Sequence, residues 1–88
     1  MKFDIAGIGR RLRQERTRRT FINADGRTEI WTLEYVSQQL MSKFGKTVTG
    51  SNLGAIERGT NIPRVEILAM LCELYGRSVD DLIRSDTD

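Results

Sequence analysis

Thr49-Gly50-Ser51-Asn52-Leu53-Gly54-Ala55-Ile56-Glu57-Arg58-Gly59 is the stretch on which the fold turns. Thr49 is placed to cap a short helix, Gly50 to Arg58, and Gly59 to close it. Projected at about 100° per residue, Leu53 and Ile56 point one way, while Ser51, Gly54, Ala55 and Arg58 point the other, with Asn52 and Gly50 at the margins. Such a helix has few core contacts. Its outer face, small and polar, is suited to close approach by another molecule.

Working outward, Thr32 is an N-cap for a helix from Leu33 to about Lys43, whose apolar stripe is Leu33, Val36, Leu40 and Met41 or Phe44. Gly45 is its stop, and Lys46-Thr47-Val48 lead on to Thr49. Before Thr32 the helical period fails. Thr20-Phe21-Ile22-Asn23 and Arg27-Thr28-Glu29-Ile30-Trp31 resemble two short strands around Asp25-Gly26, which predicts a small hairpin or an ordered loop. From Asp4, a cap, to about Arg18, Ile5, Ile8 and Leu12 recur at spacings that predict a first helix.

On the other side, Asn61 and Pro63 mark a break before a helix from Arg64 to Tyr75. Val65, Ile67, Leu68, Ala69, Leu71, Cys72, Leu74 and Tyr75 make it apolar nearly all round, so the expectation is a central buried helix with Cys72 as a small core residue. Gly76 ends it. Ser78 caps a last helix with Asp80 and Asp81 in its first turn and Val79, Leu82 and Ile83 facing inward. Residues 85–88 are expected to fray, and the run from Arg84 would serve as a terminus or as the start of a linker.

The 88 residues suffice for one domain with a single modest core. No apolar run approaches the ~20 residues of a membrane span, and Met1-Lys2-Phe3-Asp4-Ile5 lacks the pattern of a signal peptide, so the expected location is cytoplasmic, with no membrane partner. Cys72 is the only cysteine, which excludes an internal disulfide. Histidine is absent. Its absence removes the commonest general base and, with a single cysteine, the usual structural zinc site. No glycine-rich phosphate loop is present, and helix capping explains Asp80-Asp81. No catalytic residue, metal or cofactor is therefore expected.

The net charge of +2 hides an asymmetry, because residues 1–64 carry twelve Lys/Arg against six Asp/Glu, and residues 65–88 two against six. Arg10, Arg11, Arg13, Arg16, Arg18 and Arg19 crowd together with only Glu15 among them. This clustering suits a polyanion, whose condensed counterions each neutralised phosphate releases; the plainer reading is a solvated basic helix face.

Three stretches then resemble the lambda-repressor-like, or XRE-type, helix-turn-helix family. Ile8-Gly9-Arg10-Arg11-Leu12-Arg13-Gln14-Glu15-Arg16 looks like its first helix, and Thr49 to Gly59 like its recognition helix. Asn61-Ile62-Pro63 through Leu68, Leu71 and Tyr75-Gly76-Arg77-Ser78-Val79-Asp80-Asp81-Leu82 looks like its fourth and fifth. The resemblance covers about three-quarters of the chain. It implies an all-α, five-helix domain, here with an inserted loop or small β-hairpin between helices 1 and 2, in which helix 2 lies across the DNA backbone and helix 3 enters the major groove.

The implied base readers are Gly50, Ser51 and Asn52, beside the capping Thr49, with Ala55 one turn on. Arg58 and Asn61 match positions that meet backbone or base edges just beyond the helix. One reading of the insertion has Arg27, with Arg18 and Arg19, carry a basic hairpin to the minor groove or phosphates, and Lys46 is a further candidate DNA-binding residue. Gly50 and Leu33 stand where many members have a long polar side chain.

The implied function is a sequence-specific transcriptional regulator, a repressor, binding paired half-sites of double-stranded DNA as a homodimer. Two alternatives are an antitoxin-type DNA-binding protein with a toxin partner, and a protein interaction module built on the same core. For the insertion, Phe21, Ile22, Ile30 and Trp31 form either a dimer contact or, more simply, with Phe21 and Trp31, a cap on the core beside helix 2.

Overall fold

The structure, a computed structural model, describes residues 4–84. The expectations for residues 85–88, and for Met1 to Phe3, lie outside them. A 3-10 turn, Ile5–Gly7, leads into α1 (Ile8–Thr17). The strands β1 (Thr20–Ile22) and β2 (Thr28–Ile30) follow, then α2 (Leu33–Phe44), α3 (Gly50–Arg58), α4 (Val65–Tyr75) and α5 (Val79–Ile83). None of these helices is long and apolar enough to cross a membrane.

Local chemistry sets the helix ends. Thr32 accepts a hydrogen bond from the Tyr35 amide and Thr49 one from the Asn52 amide, each at 3.0 Å. Ser78 and Asp81 close a reciprocal capping box, both bonds at 3.1 Å. The exposed Asp81 carboxyl is held below its ordinary pKa by the bonds from Ser78. Gly45 and Gly59 end α2 and α3 at φ 66° and 82°, a left-handed conformation that a side chain would strain.

Leu12, Val36, Leu40, Leu71 and Leu82 are the most deeply buried side chains, joined by Val48, Leu53, Ile56, Ile67, Leu68 and Tyr75. α1 packs on α3 and α5, and α2 packs on α3 and α4. Cys72 lies in the same core, and burial pushes its thiol pKa up, which leaves it the unreactive small residue expected.

Several expectations need correction. The first helix starts at Ile8 rather than at Asp4, because the Asp4 side chain caps the 3-10 turn through the Gly7 amide at 3.1 Å. Ile5 is consequently half exposed. α4 is not buried all round: Val65, Glu66, Ala69 and Glu73 form an exposed face, with Val65 at 85% exposure. In α2 Met41 is exposed and Phe44 packs on the core, and in α5 Val79 is 40% exposed.

The hairpin is antiparallel, with Thr20 opposite Ile30, Phe21 opposite Glu29 and Ile22 opposite Thr28. Asn23 shapes its tip, its side-chain oxygen accepting from the Asp25 and Arg27 amides at 2.9 and 3.0 Å, while Gly26 takes φ 77°. Successive residues point to opposite faces. Phe21 stacks on Tyr35 with ring centroids 4.1 Å apart, and Trp31 lies against Tyr35 and Tyr75. Trp31 therefore packs on the core, while Phe21 lies against α2 through Tyr35. Ile22 and Ile30, on the opposite face, remain exposed.

The arginine cluster divides: Arg10, Arg13 and Arg18 are exposed, while Arg11, Arg16 and Arg19 are drawn into the fold. Arg11 is buried and donates to the carbonyls of Asp4 and Leu82 and to the Asp4 carboxylate, tying the N-terminal turn to α5. Arg16 bridges α1 to α3 through Glu57. Glu15 accepts from Arg18, Arg19 and Arg77 at 3.1 to 3.2 Å. Burial alone would raise the Glu15 pKa, but the bonds from Arg77 and Arg19 outweigh it and hold the carboxyl below its ordinary value.

Candidate nucleic-acid interface

The link between α2 and α3 is anchored rather than loose. Val48 is buried, and its carbonyl accepts from the Ser37 hydroxyl at 2.6 Å, so the chain reaches Thr49 in a fixed direction. In α3, Leu53 and Ile56 face the core and Ser51, Asn52 and Arg58 face solvent, with Ala55 half-buried. Beyond Gly59 the loop folds back on the helix. The Ala55 carbonyl accepts from the amides of Thr60 and Asn61, at 3.0 and 3.3 Å, and from the Thr60 hydroxyl at 3.0 Å.

That return brings two candidate residues together. Asn61 Nδ2 donates to Asn52 Oδ1 at 3.2 Å. The pair still presents the Asn52 amide hydrogens as donors and the Asn61 oxygen as acceptor, the complement of an adenine edge. Ser51 adds an exposed hydroxyl at the first turn. Arg58 lies one turn past Gly54 and folds back over it, so that an added Cβ would meet its guanidinium nitrogen at 3.1 Å.

Other candidates are placed differently. Gly50, expected among the base readers, is buried at the crossing with α2, under Glu34 and Leu33; Gly54, expected on the outer face, is buried too. Arg19 is built into the fold, donating to the carbonyls of Glu15 and Tyr75 and lying over the rings of Trp31 and Tyr75. These contacts fix Arg19 at the base of the hairpin, with its side chain 27% exposed. Arg18 is exposed but paired with Glu15, and Lys46 is paired with Glu66 at 3.1 Å. Arg27 sits at the exposed hairpin tip, away from Ser51 and Asn52 in sequence and in element.

Two residues escaped the sequence reading. Arg64, at the N-cap of α4, borders a cleft with Asn52, Asn61 and Pro63. Glu34 shares a shallow groove of about 540 Å³ with Thr32, Gly50, Ser51, Gly54 and Arg58. For Arg64 the signal was a cation next to the only proline; for Glu34 a helix-start acid hides the residue among ordinary caps. Compared with family models, with curated proteins and with solved structures, the chain has no significant match in any of the three.

Proposed function

We propose that the protein is a sequence-specific DNA-binding regulator of the helix-turn-helix type, a repressor, that places α3 in the major groove. One observation carries the reading: Ser51, Asn52 and Arg58 stand exposed on a helix whose other face, Leu53 and Ile56, is fixed in the core through an anchored link from α2, and Asn61 joins them from the loop that folds back on the helix. Rigid presentation of a few polar groups on a narrow helix is what groove readout requires. Arg58 and Arg64 supply positive charge beside them.

A single nine-residue helix makes few base contacts. Two copies on half-sites about one helical turn apart multiply the discrimination, which favours a homodimer. Selection from random DNA duplexes at two salt concentrations, with wild type beside Arg58→Ala and Ser51→Ala, tests the reading. An enriched palindrome that blurs in the variants supports it. Steep salt dependence with no enriched sequence would mean backbone tracking, and no binding at low salt would transfer the lead to a protein interaction module, which the exposed Ile22 and Ile30 face of the hairpin favours.

A further inference from the structure

We infer that Glu34 is a base-reading residue that, with Arg58 across the same groove, gives the protein a preference for a G·C pair in each half-site. The inference rests on the proposed DNA-binding reading and adds to it a specificity determinant on α2. Its starting point is a missing side chain. A Cβ built on Gly50 would stand 2.6 Å from Glu34 Oε1 and 3.6 Å from the Leu33 Cβ. The first position of α3 therefore has no reader of its own, and the space is filled by a carboxylate that reaches over from the first turn of α2.

The chemistry of the groove follows from its lining. Glu34, Ser51 and Arg58 are exposed along it, and neither Glu34 nor Arg58 is engaged in an ion pair with another described residue. An ionised carboxylate only accepts hydrogen bonds, and a guanidinium only donates them. In the major groove guanine offers the acceptors N7 and O6, matched to a guanidinium fork, while cytosine offers the N4 amino group, matched to a carboxylate. A donor and an acceptor on one groove form the complement of that pair. The same carboxylate repels phosphates and bare acceptor edges, so it penalises wrong registers as well as rewarding the right one.

The alternative is that Glu34 serves only the helix ends, its charge favouring the N-termini of α2 and α3. The experiment separates the two. Wild type, E34Q, E34A and R58A are put through the duplex selection, their melting temperatures are recorded, and affinities are measured by fluorescence anisotropy on the selected duplex and on single-pair changes of it. We expect wild type to lose on the order of tenfold in affinity when the cytosine of one G·C pair is replaced. In E34Q and E34A that loss should shrink to within twofold while preferences elsewhere persist, and R58A should relax the guanine of the same or an adjacent pair. If E34Q and E34A select the wild-type motif unchanged, with or without a lower melting temperature, the inference is overturned and the DNA-binding reading stands. If wild type itself enriches no motif, the DNA-binding reading fails, and the inference falls with it.

Discussion

Arg16 of α1 holds Glu57 of α3 with two parallel hydrogen bonds, Nε to Oε2 at 2.8 Å and Nη2 to Oε1 at 2.9 Å, and its remaining nitrogen donates to the Trp31 carbonyl at 2.8 Å. One guanidinium thus joins the first helix, the third helix and the end of the hairpin. Both charged groups are largely withdrawn from water, at 14% and 10% exposure. Removing one partner leaves the other buried and uncompensated, so Arg16→Ala should cost about 3 kcal/mol of stability. Arg16→Lys should recover less than half of that, since an ammonium cannot reproduce the fork. Urea denaturation of the two variants checks both statements; an Arg16→Ala midpoint equal to wild type would contradict them.

The bridge also shows where the sequence was legible and where it was not. Thr32, Thr49, Gly45 and Gly59 act within a turn of their own position, and so the bounds of α2 and α3 follow from local pattern alone. The hairpin was legible for the same reason, through Asp25-Gly26 and the flanking alternation. Arg16 and Glu57 are 41 positions apart, and Arg19 and Tyr75 are 56 apart. No periodicity announces such pairs, so Arg11, Arg16 and Arg19, which work inside the fold, read the same as the exposed Arg10, Arg13 and Arg18 beside them. Gly50 stood among the base readers by the family resemblance, which says nothing of the α2 side chain that covers it here.

Glu15 sets a pH dependence whose sign follows from its partners. Its folded pKa lies below the ordinary carboxylate value, so across the interval between the two the unfolded chain binds more protons than the folded one. Its contribution is therefore fully present above the ordinary value of 4.5 and is lost as pH falls through the folded value. Glu15→Gln should be less stable than wild type at pH 7, and the gap should narrow between about pH 5 and pH 3. Denaturant melts across that range decide it; a gap that stays constant would mean the Glu15 carboxylate is not what the three arginines stabilise.

The hairpin should respond unequally on its two faces. Ile22 is 66% and Ile30 51% exposed, so replacing both with Thr, which keeps the β-branch, should change stability by no more than about 0.5 kcal/mol. Phe21→Ala removes the ring stacked on Tyr35 and should cost about 2 kcal/mol. Thermal melts give the ratio, and sedimentation of the double Thr variant gives the state of association. A loss of stability from the double variant that disappears on dilution would assign the Ile face to a contact between copies.

Gly9 makes the sharpest demand in the fold. A Cβ there would stand 2.2 Å from the Ile56 carbonyl oxygen and 2.7 Å from that of Glu57, both backbone atoms of α3 that cannot rotate away. In an isolated helix Ala is favoured over Gly by about 1 kcal/mol, so propensity alone predicts that Gly9→Ala stabilises. The packing predicts the reverse. The added methyl must push α1 off α3, disturbing the burial of Leu12, Leu53 and Ile56 together with the Arg16 to Glu57 bridge, at a net cost of about 3 kcal/mol. Gly54→Ala is the control, because its nearest neighbours, Arg58 Nη1 at 3.1 Å and Leu33 Cδ1 at 3.3 Å, are ends of flexible side chains. That variant should stay within about 1 kcal/mol of wild type, with propensity offsetting the crowding. Urea midpoints of the two glycine variants measure how close α1 and α3 come: equal stability would mean that the helices can separate without loss, and the larger fall at Gly9 would place the rigidity of the α3 surface in this backbone contact.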